Sequence, residues 1–174
     1  ITRLVSGDGI GGIHLWSGDG SSSLAFINEI QKRSKVPIIF DADIERGFGQ
    51  RFPSGTDFPP MMAITATGNP KNAYEVGKIV ALESKAAGVH WNLSPVVDVN
   101  NNPLNPIINT RSFSDDPDIV GEFSIEYTKG LQDHGMIATA KHFPGHGDTQ
   151  TDSHSSLAMI PSDSSRLWSV ELKP

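Results

Sequence analysis

The stretch DHGMIATAKHFPGHGDTQTDSH, residues 133–154, contains the pattern that decides the fold. Gly135 is typical of a helix end, and the apolar segment Met136–Phe143 that follows at once predicts a strand. A longer segment rich in Pro, Gly and Asp comes after this strand. A short entry into a strand and a long exit from it indicate a parallel sheet that carries its functional loops at the carboxyl edge.

The same arrangement recurs upstream of this stretch. Short apolar segments predict three further strands, over residues 9–16, 36–42 and 88–99. Apolar residues at helical spacing, bounded by capping residues and glycines, predict helices over residues 23–33, 69–88 and 116–135, and a fourth helix that begins near Ser162. This alternation predicts an α/β fold built from right-handed βαβ units around a parallel sheet.

Four strands are half of the eight in a (β/α)8 TIM-type barrel, and 174 residues are roughly two thirds of its usual length. We therefore expect residues 1–174 to form part of one catalytic barrel domain, incomplete in this chain, with further sequence on both sides. The long segments that follow the strands, residues 43–68, 94–115 and 144–161, predict an active site at the carboxyl edge of the sheet.

Composition narrows the classes of partner. A net charge of -6 without clustered Lys and Arg argues against nucleic acid as a ligand. The absence of cysteine excludes disulfides and thiolate chemistry, and it fits a cytoplasmic and a cell-envelope or secreted location equally well. No apolar run approaches the about 20 residues that span a bilayer, so the sequence predicts a soluble chain without a membrane partner.

Charged residues follow the second and third predicted strands. Asp41, Asp43 and Glu45 lie at the end of the second strand, where they are either site residues or solvated loop charges. Asp98 follows an apolar segment and precedes three asparagines, a pattern that also fits Asx-turns. Arg111 either belongs to the site or pairs with its neighbours Asp115 and Asp116.

The end of the fourth strand carries the densest set of titratable groups. Lys141 and His142 lie where alternating side chains leave the sheet at the mouth of a site. Asp152 and His154 are separated by one residue, so in an extended segment both side chains point the same way. A carboxylate that orients an imidazole makes the histidine a proton-transfer group near neutral pH.

A metal site is the alternative interpretation of this segment. Its ligands would be His142, His146, Asp148 and His154, as in a metal-dependent hydrolase or deacetylase. The prolines and glycines between His142 and His146 prevent the helical i, i+4 pair of a zincin, which lowers the weight of this alternative.

The segment KHFPGHGDTQTDSHSSLAMIP, residues 141–161, resembles the signature of glycoside hydrolase family 3 in its β-N-acetylglucosaminidase branch. Further elements of that family occur in the same order along the chain: GGIHLW, DADIERGFGQRF, NLSPVVDV and NTRSFSDDP. The resemblance implies a TIM-barrel enzyme that removes terminal β-linked N-acetylglucosamine from peptidoglycan- or chitin-derived glycosides with retention. It also implies that neither a metal nor an organic cofactor takes part.

The resemblance implies roles for six residues. His154 is the general acid/base and Asp152 its orienting partner, while the terminal sugar is bound by Asp43, Arg111, Lys141 and His142. The distance from Gln50-Arg51-Phe52 indicates that Asp43, and not Asp41, is the sugar-binding aspartate of this element. The family's nucleophile is an aspartate on a later strand, so the resemblance places it beyond Pro174 and predicts that the isolated chain is inactive.

Two alternatives remain beside the metal-dependent hydrolase. One is a β-glucosidase of the same family, against which the Asp152-Ser153-His154 element argues, since the family's β-glucosidases generally lack it. The other is a sugar-binding segment without turnover.

Overall fold

A computed structural model describes residues 3–174, which form helices around a four-stranded parallel sheet. The strands are β1 (Gly12–His14), β2 (Ile39–Ala42), β3 (Trp91–Asn92) and β4 (Ile137–Ala138). Their order in the sheet is β1-β2-β3-β4, and each neighbouring pair is parallel. Strands that lie side by side in chain order form an arc of a barrel, which confirms the predicted α/β class.

The helices are α1 (Gly20–Arg33), α2 (Met61–Thr65), α3 (Lys71–Ala86), α4 (Pro117–Gln132) and α5 (Ser164–Ser169). Side chains cap three of the helices that the sequence predicts. Asp19 accepts a hydrogen bond from the Ser22 amide, Asp116 accepts from the amides of Asp118 and Ile119, and Asp163 accepts from the Arg166 amide. Helix α2 is not predicted from the sequence, because five residues after a proline pair are too few to show helical periodicity.

The third and fourth strands are shorter than the sequence predicts. Regular pairing of β3 with β4 ends at Asn92 and Ala138. Contact between the two segments continues irregularly, since the Val97 amide donates to the Lys141 carbonyl at 2.6 Å and the Lys141 amide donates to the Pro95 carbonyl at 3.0 Å. Pro95 has no amide hydrogen to give to a ladder, which interrupts the strand and leaves the following residues free to turn into the site.

Helices α3 and α4 pack closely through two glycines. A Cβ atom at Gly77 would lie 2.3 Å from the Tyr127 carbonyl oxygen, and one at Gly130 would lie 2.2 Å from the Tyr74 carbonyl oxygen. Neither position tolerates a side chain without movement of the backbone. The close approach places Tyr127 fully inside the core, where burial raises the pKa of its hydroxyl.

Tyr127 connects this helix pair to the carboxyl end of β2. Its hydroxyl lies 3.0 Å from the Glu45 carbonyl oxygen and 3.2 Å from that of Ile44. The buried Asn92 completes the attachment, since its amide group donates to the Ile44 carbonyl and accepts from the Ile44 amide. The backbone that leaves β2 is therefore fixed from two sides before the first site residue is reached.

None of the helices within residues 3–174 combines the length and the apolarity that crossing a membrane requires.

Candidate active site

A cavity of about 820 Å³ lies at the carboxyl edge of the sheet, where the sequence predicts a site. Its lining comes from the segments that follow the strands and from α2, and five of the six predicted site residues take part. The lining residues are Trp16, Asp43, Glu45, Arg46, Gln50, Arg51, Pro60, Met61, Leu93, Thr110, Arg111, Thr139, Lys141, His142 and His154. The sixth, Asp152, contacts the cavity residue His154.

Two acidic and two basic side chains form one network in this cavity. Lys141 Nζ lies 2.5 Å from Asp43 Oδ1 and 2.9 Å from Glu45 Oε1. Arg111 forms a two-point ion pair with Glu45, with Nη2–Oε1 at 2.7 Å and Nε–Oε2 at 2.9 Å. Arg111 therefore pairs across the site and not with its neighbours in the chain. The network brings together three of the predicted sugar-binding residues around a fourth residue, Glu45.

Glu45 is charged in spite of its burial. Burial by itself would raise its pKa, but the hydrogen bonds from Arg111 and the positive charges of Lys141 and Arg111 outweigh burial and lower the pKa to about 2. The pKa of Arg111 is raised, because the carboxylate of Glu45 outweighs the effect of desolvation on the guanidinium. Both groups keep their charge over the whole range in which an enzyme operates.

The backbone around Glu45 is fixed by a side chain of its own segment. Gln50 Oε1 accepts hydrogen bonds from the amides of Glu45 and Arg46, at 2.8 and 3.1 Å. Arg51, next to Gln50, donates from Nε to the Asp43 carbonyl at 3.0 Å. The segment after β2 therefore presents its two carboxylates from a closed, hydrogen-bonded turn and does not place them in solvent.

His142 is held by Asp98, which is 1% exposed. Asp98 Oδ2 lies 2.6 Å from His142 Nδ1, while Oδ1 accepts from the amide of His146 at 2.6 Å and lies 3.3 Å from the amide nitrogen of His142. A carboxylate that accepts at Nδ1 fixes that nitrogen as the protonated one and leaves Nε2 as the other functional atom of the ring. The Asx-turns expected at Asp98 are formed instead by Asn102 and Asn105.

The Asp152–His154 pair forms, but not in the extended segment that the sequence predicts. Residues 153–155 make a turn, and Asp152 Oδ1 accepts from both the amide and Nδ1 of His154, at 2.9 and 2.7 Å. The hydrogen bonds from His154 lower the pKa of Asp152. The His154 side chain is 78% exposed, so its Nε2 atom is accessible from solvent beside the cavity.

The alternative metal ligands form no metal-binding cluster within residues 3–174, although the ring centres of His142 and His146 are 5.7 Å apart. His146 is buried, and its ring nitrogens face Thr149 Oγ1 and Ser153 Oγ. Asp148 pairs with Arg166 at 3.4 Å. Among residues 3–174 there is no group of three or more His, Cys, Asp or Glu side chains in metal-binding geometry.

Trp16 and Arg51 are among the cavity residues that the sequence does not single out. The guanidinium of Arg51 lies 4.9 Å from the centre of the Trp16 ring, and Trp16, two residues after β1, is 65% exposed. The only sequence signal for these two residues was that they follow the end of a strand, as the other residues that line the cavity do. Asp41, by contrast, pairs with His14 at 2.6 Å and does not line the cavity.

A parallel sheet with strands in chain order and a charged pocket at its carboxyl edge defines this chain as part of a TIM-type barrel of the kind that enzymes use. Residues 3–174 match the family described as "Glycosyl hydrolase family 3 N terminal domain". The chain belongs to this family, as the sequence signature indicates.

Similar proteins agree with this assignment. A "Beta-N-acetylglucosaminidase/beta-glucosidase" of Cellulomonas fimi is 33% identical over 95% of this chain and 29% of its own length. "Beta-hexosaminidase A" of Pseudoalteromonas piscicida is 33% identical over 100% of this chain and 31% of its own length. This chain therefore spans about a third of these two relatives.

Solved structures show the same fold. A glycoside hydrolase family 3 beta-N-acetylglucosaminidase from Paenibacillus sp. str. FPU-7 superposes with a TM-score of 0.93 at 36% identity, over 99% of this chain and 34% of that one. Native NagZ from Neisseria gonorrhoeae superposes with a TM-score of 0.85 at 31% identity, over 98% of this chain and 52% of that one. The arc of four strands is thus one part of the barrel found in this family.

Proposed function

We propose that this chain carries the sugar-binding and proton-transfer groups of a retaining exo-glycosidase that releases terminal β-linked N-acetylglucosamine. The observation that carries the proposal is the Asp152–His154 pair beside a cavity whose charged network includes Asp43, Lys141 and Arg111. The names of the Cellulomonas and Pseudoalteromonas relatives support the same substrate. Peptidoglycan- and chitin-derived fragments are the natural glycosides of this type.

The charged network suits the recognition of a terminal sugar. Each hydroxyl of a pyranose both donates and accepts hydrogen bonds, and hydrogen bonds to charged groups are the stronger ones. Asp43 supplies an acceptor, whereas Lys141 and Arg111 supply donors that Glu45 holds in place. His142 contacts Asp98 through Nδ1, which leaves its Nε2 atom for the sugar. A ring in the cavity thus meets both kinds of partner.

The Asp152–His154 pair suits the proton transfers. In the first step protonated His154 donates to the glycosidic oxygen as the bond to the anomeric carbon breaks and a carboxylate attacks that carbon. In the second step neutral His154 takes a proton from the water that hydrolyses the glycosyl-enzyme, which returns the β configuration. Asp152 holds the imidazole by Nδ1 and stabilises its protonated form, so Nε2 is the atom that exchanges the proton.

The attacking carboxylate is proposed to lie outside residues 3–174. Each carboxylate near the described cavity is already held by a basic group: Asp43 by Lys141, Glu45 by Lys141 and Arg111, and Asp98 by His142. A carboxylate neutralised in this way is a poor nucleophile, and it serves better as an anchor for the cations that contact the sugar.

The test compares two nitrophenyl glycosides on the complete protein. We expect hydrolysis of the N-acetyl-β-glucosaminide, with NMR showing that the β-anomer is released first. We expect His154→Ala to lower kcat by about 10²-fold or more. The relative from Cellulomonas fimi is named for both activities, so the β-glucoside is the matched competitor. Cleavage of the glucoside alone, or release of the α-anomer, would sink the proposal.

A further inference from the structure

One hydrogen bond connects the Asp152–His154 turn to the rest of the site. Ser153, the residue between the two, places its Oγ 3.1 Å from Nε2 of His146. The other hydrogen bonds of residues 152–154 stay within residues 152–156, as far as residues 3–174 show. The position of His154 over the cavity therefore depends on a side chain that has no part in the chemistry proposed above.

His146 is fixed from several sides. It is 7% exposed, its amide donates to Asp98 Oδ1 at 2.6 Å, and its carbonyl oxygen accepts from Asn105 Nδ2 at 2.7 Å. The same Asn105 amide group also lies within hydrogen-bond distance of the carbonyl oxygens of Gly147 and Thr149. The backbone that carries the His146 ring is thus held from both its amide and its carbonyl side.

The hydrogen bonds around the ring favour one tautomer. Thr149 Oγ1 lies 2.9 Å from the His146 carbonyl oxygen, and a hydroxyl that donates its single hydrogen there accepts from Nδ1 of the ring. With Nδ1 protonated in the neutral ring, Nε2 is an acceptor. Nε2 then receives the Ser153 hydroxyl hydrogen, and the chain of donors runs in one direction from Ser153 through the ring to the backbone.

We propose that His146 is a positioning residue that holds the acid/base His154 over the substrate through Ser153. This inference rests on the proposed glycosidase function and deepens it. The two oxygens of Asp98 connect the roles, because Oδ2 orients the sugar-binding ring of His142 while Oδ1 anchors the backbone of His146. One buried carboxylate thereby keeps the sugar contact and the proton donor in a constant relative position.

A positioning role predicts a dependence on the leaving group. A general acid must lie within hydrogen-bond reach of the leaving oxygen, and its displacement matters only when that oxygen needs a proton to depart. A dinitrophenolate departs without protonation, whereas a methyl aglycone does not. The quantity to compare is kcat/KM, since it reports the first step alone and excludes hydrolysis of the glycosyl-enzyme.

The experiment uses the complete protein and two substrates, the dinitrophenyl and the methyl N-acetyl-β-glucosaminide. We expect Ser153→Ala to lower kcat/KM about fivefold to tenfold on the methyl glycoside, the effect of losing one hydrogen bond, with little change on the dinitrophenyl glycoside. Ser153→Thr keeps the hydroxyl and retains activity on both. Ser156→Ala, in the same loop, removes a hydroxyl that has no hydrogen bond within residues 3–174 and serves as the matched control.

Thr149→Val is the second variant, because it removes the hydroxyl that sets the ring tautomer and leaves Ser153 intact. We expect the same selective loss on the methyl glycoside. His154→Ala is the reference for a lost acid. If His154→Ala shows no leaving-group dependence, the proposed function is wrong and the positioning role with it. If His154→Ala shows it while Ser153→Ala affects both substrates equally or neither, only the positioning role is overturned.

Discussion

Arg111 and Glu45, separated by 66 positions in the chain, meet in a two-point ion pair inside the cavity. The pair connects the segment after β2 to the segment that precedes α4. Lys141 contributes a third charge from the segment after β4. Glu45 is therefore the point at which three site segments meet.

Glu45→Gln is expected to destabilise the protein in a pH-dependent way. The folded-state pKa of about 2 lies below the ordinary value of 4.5, so the carboxylate contributes stability above pH 4.5 that is lost as the pH falls toward 2. At pH 7 the contribution is about 3 kcal/mol. Urea unfolding of both proteins between pH 7 and pH 3 measures it, with Glu75→Gln, an exposed partner of Lys78, as the control. A difference in unfolding free energy that does not shrink below pH 4.5 would contradict the prediction.

Lys141→Met is expected to reduce kcat/KM for the N-acetylglucosaminide by about 100-fold. The substitution removes a donor to the sugar and leaves the carboxylates of Asp43 and Glu45 without that partner, and hydrogen bonds of charged groups contribute about 1.5–3 kcal/mol. Lys129→Met removes an exposed lysine that pairs with Glu126 on α4 and serves as the control. Equal kinetics for the two variants would show that Lys141 does not contact the substrate.

Much of the fold follows from the sequence because its signals are local. Capping residues such as Asp116 and the glycines at helix ends mark boundaries through contacts with their own neighbours. The carboxyl ends of β3 and β4 are less predictable, since the apolar residues around Pro95 continue past the point where regular pairing stops. Pairing depends on the partner strand, which a single stretch of sequence does not contain.

The site shows the same division. Lys141, His142, Asp152 and His154 occur together in one signature and are recognisable from it. Glu45 is not, because its function depends on Arg111, which is distant in sequence, and because an acidic residue after a strand looks like a solvated charge until its burial is known. The sequence signal for Glu45 was its position two residues after Asp43 at a strand end. Residues two apart face the same side of a strand, so a site residue at Asp43 indicates a second one at Glu45.

Asp98→Asn is expected to impair both the sugar contact and the fold. The carboxylate accepts at both oxygens, whereas an asparagine presents one acceptor and one donor, so either the His142 ring or the His146 amide loses its partner. We expect a rise in KM together with a fall in Tm. Asp118→Asn, on an exposed carboxylate paired with Lys173, is the control in calorimetry and kinetics. Unchanged KM and Tm would show that Asp98 supports neither the sugar contact nor the fold.

Asp152→Asn is expected to lower kcat on the order of 10²-fold while the sugar still binds. The amide cannot stabilise the protonated imidazole as a carboxylate does, and the backbone turn survives because Oδ1 still accepts from the His154 amide. The two residues act as a unit, so the double variant with His154→Ala should be little worse than His154→Ala alone. Additive losses in steady-state kinetics would mean that the two side chains act separately.

The 174-residue chain on its own is expected to bind sugar without cleaving it. The carboxylates of Asp43, Glu45 and Asp98 each contact a basic side chain, which leaves none of the three poised to attack an anomeric carbon. A proton donor without an attacking carboxylate does not cleave a glycoside at a useful rate. The measurement is release of nitrophenol from the N-acetyl-β-glucosaminide, with saturation-transfer NMR of N-acetylglucosamine to report binding. Turnover that Asp43→Asn or Glu45→Gln abolishes and His154→Ala reduces would identify the nucleophile among the described carboxylates and overturn the assignment of these groups as anchors.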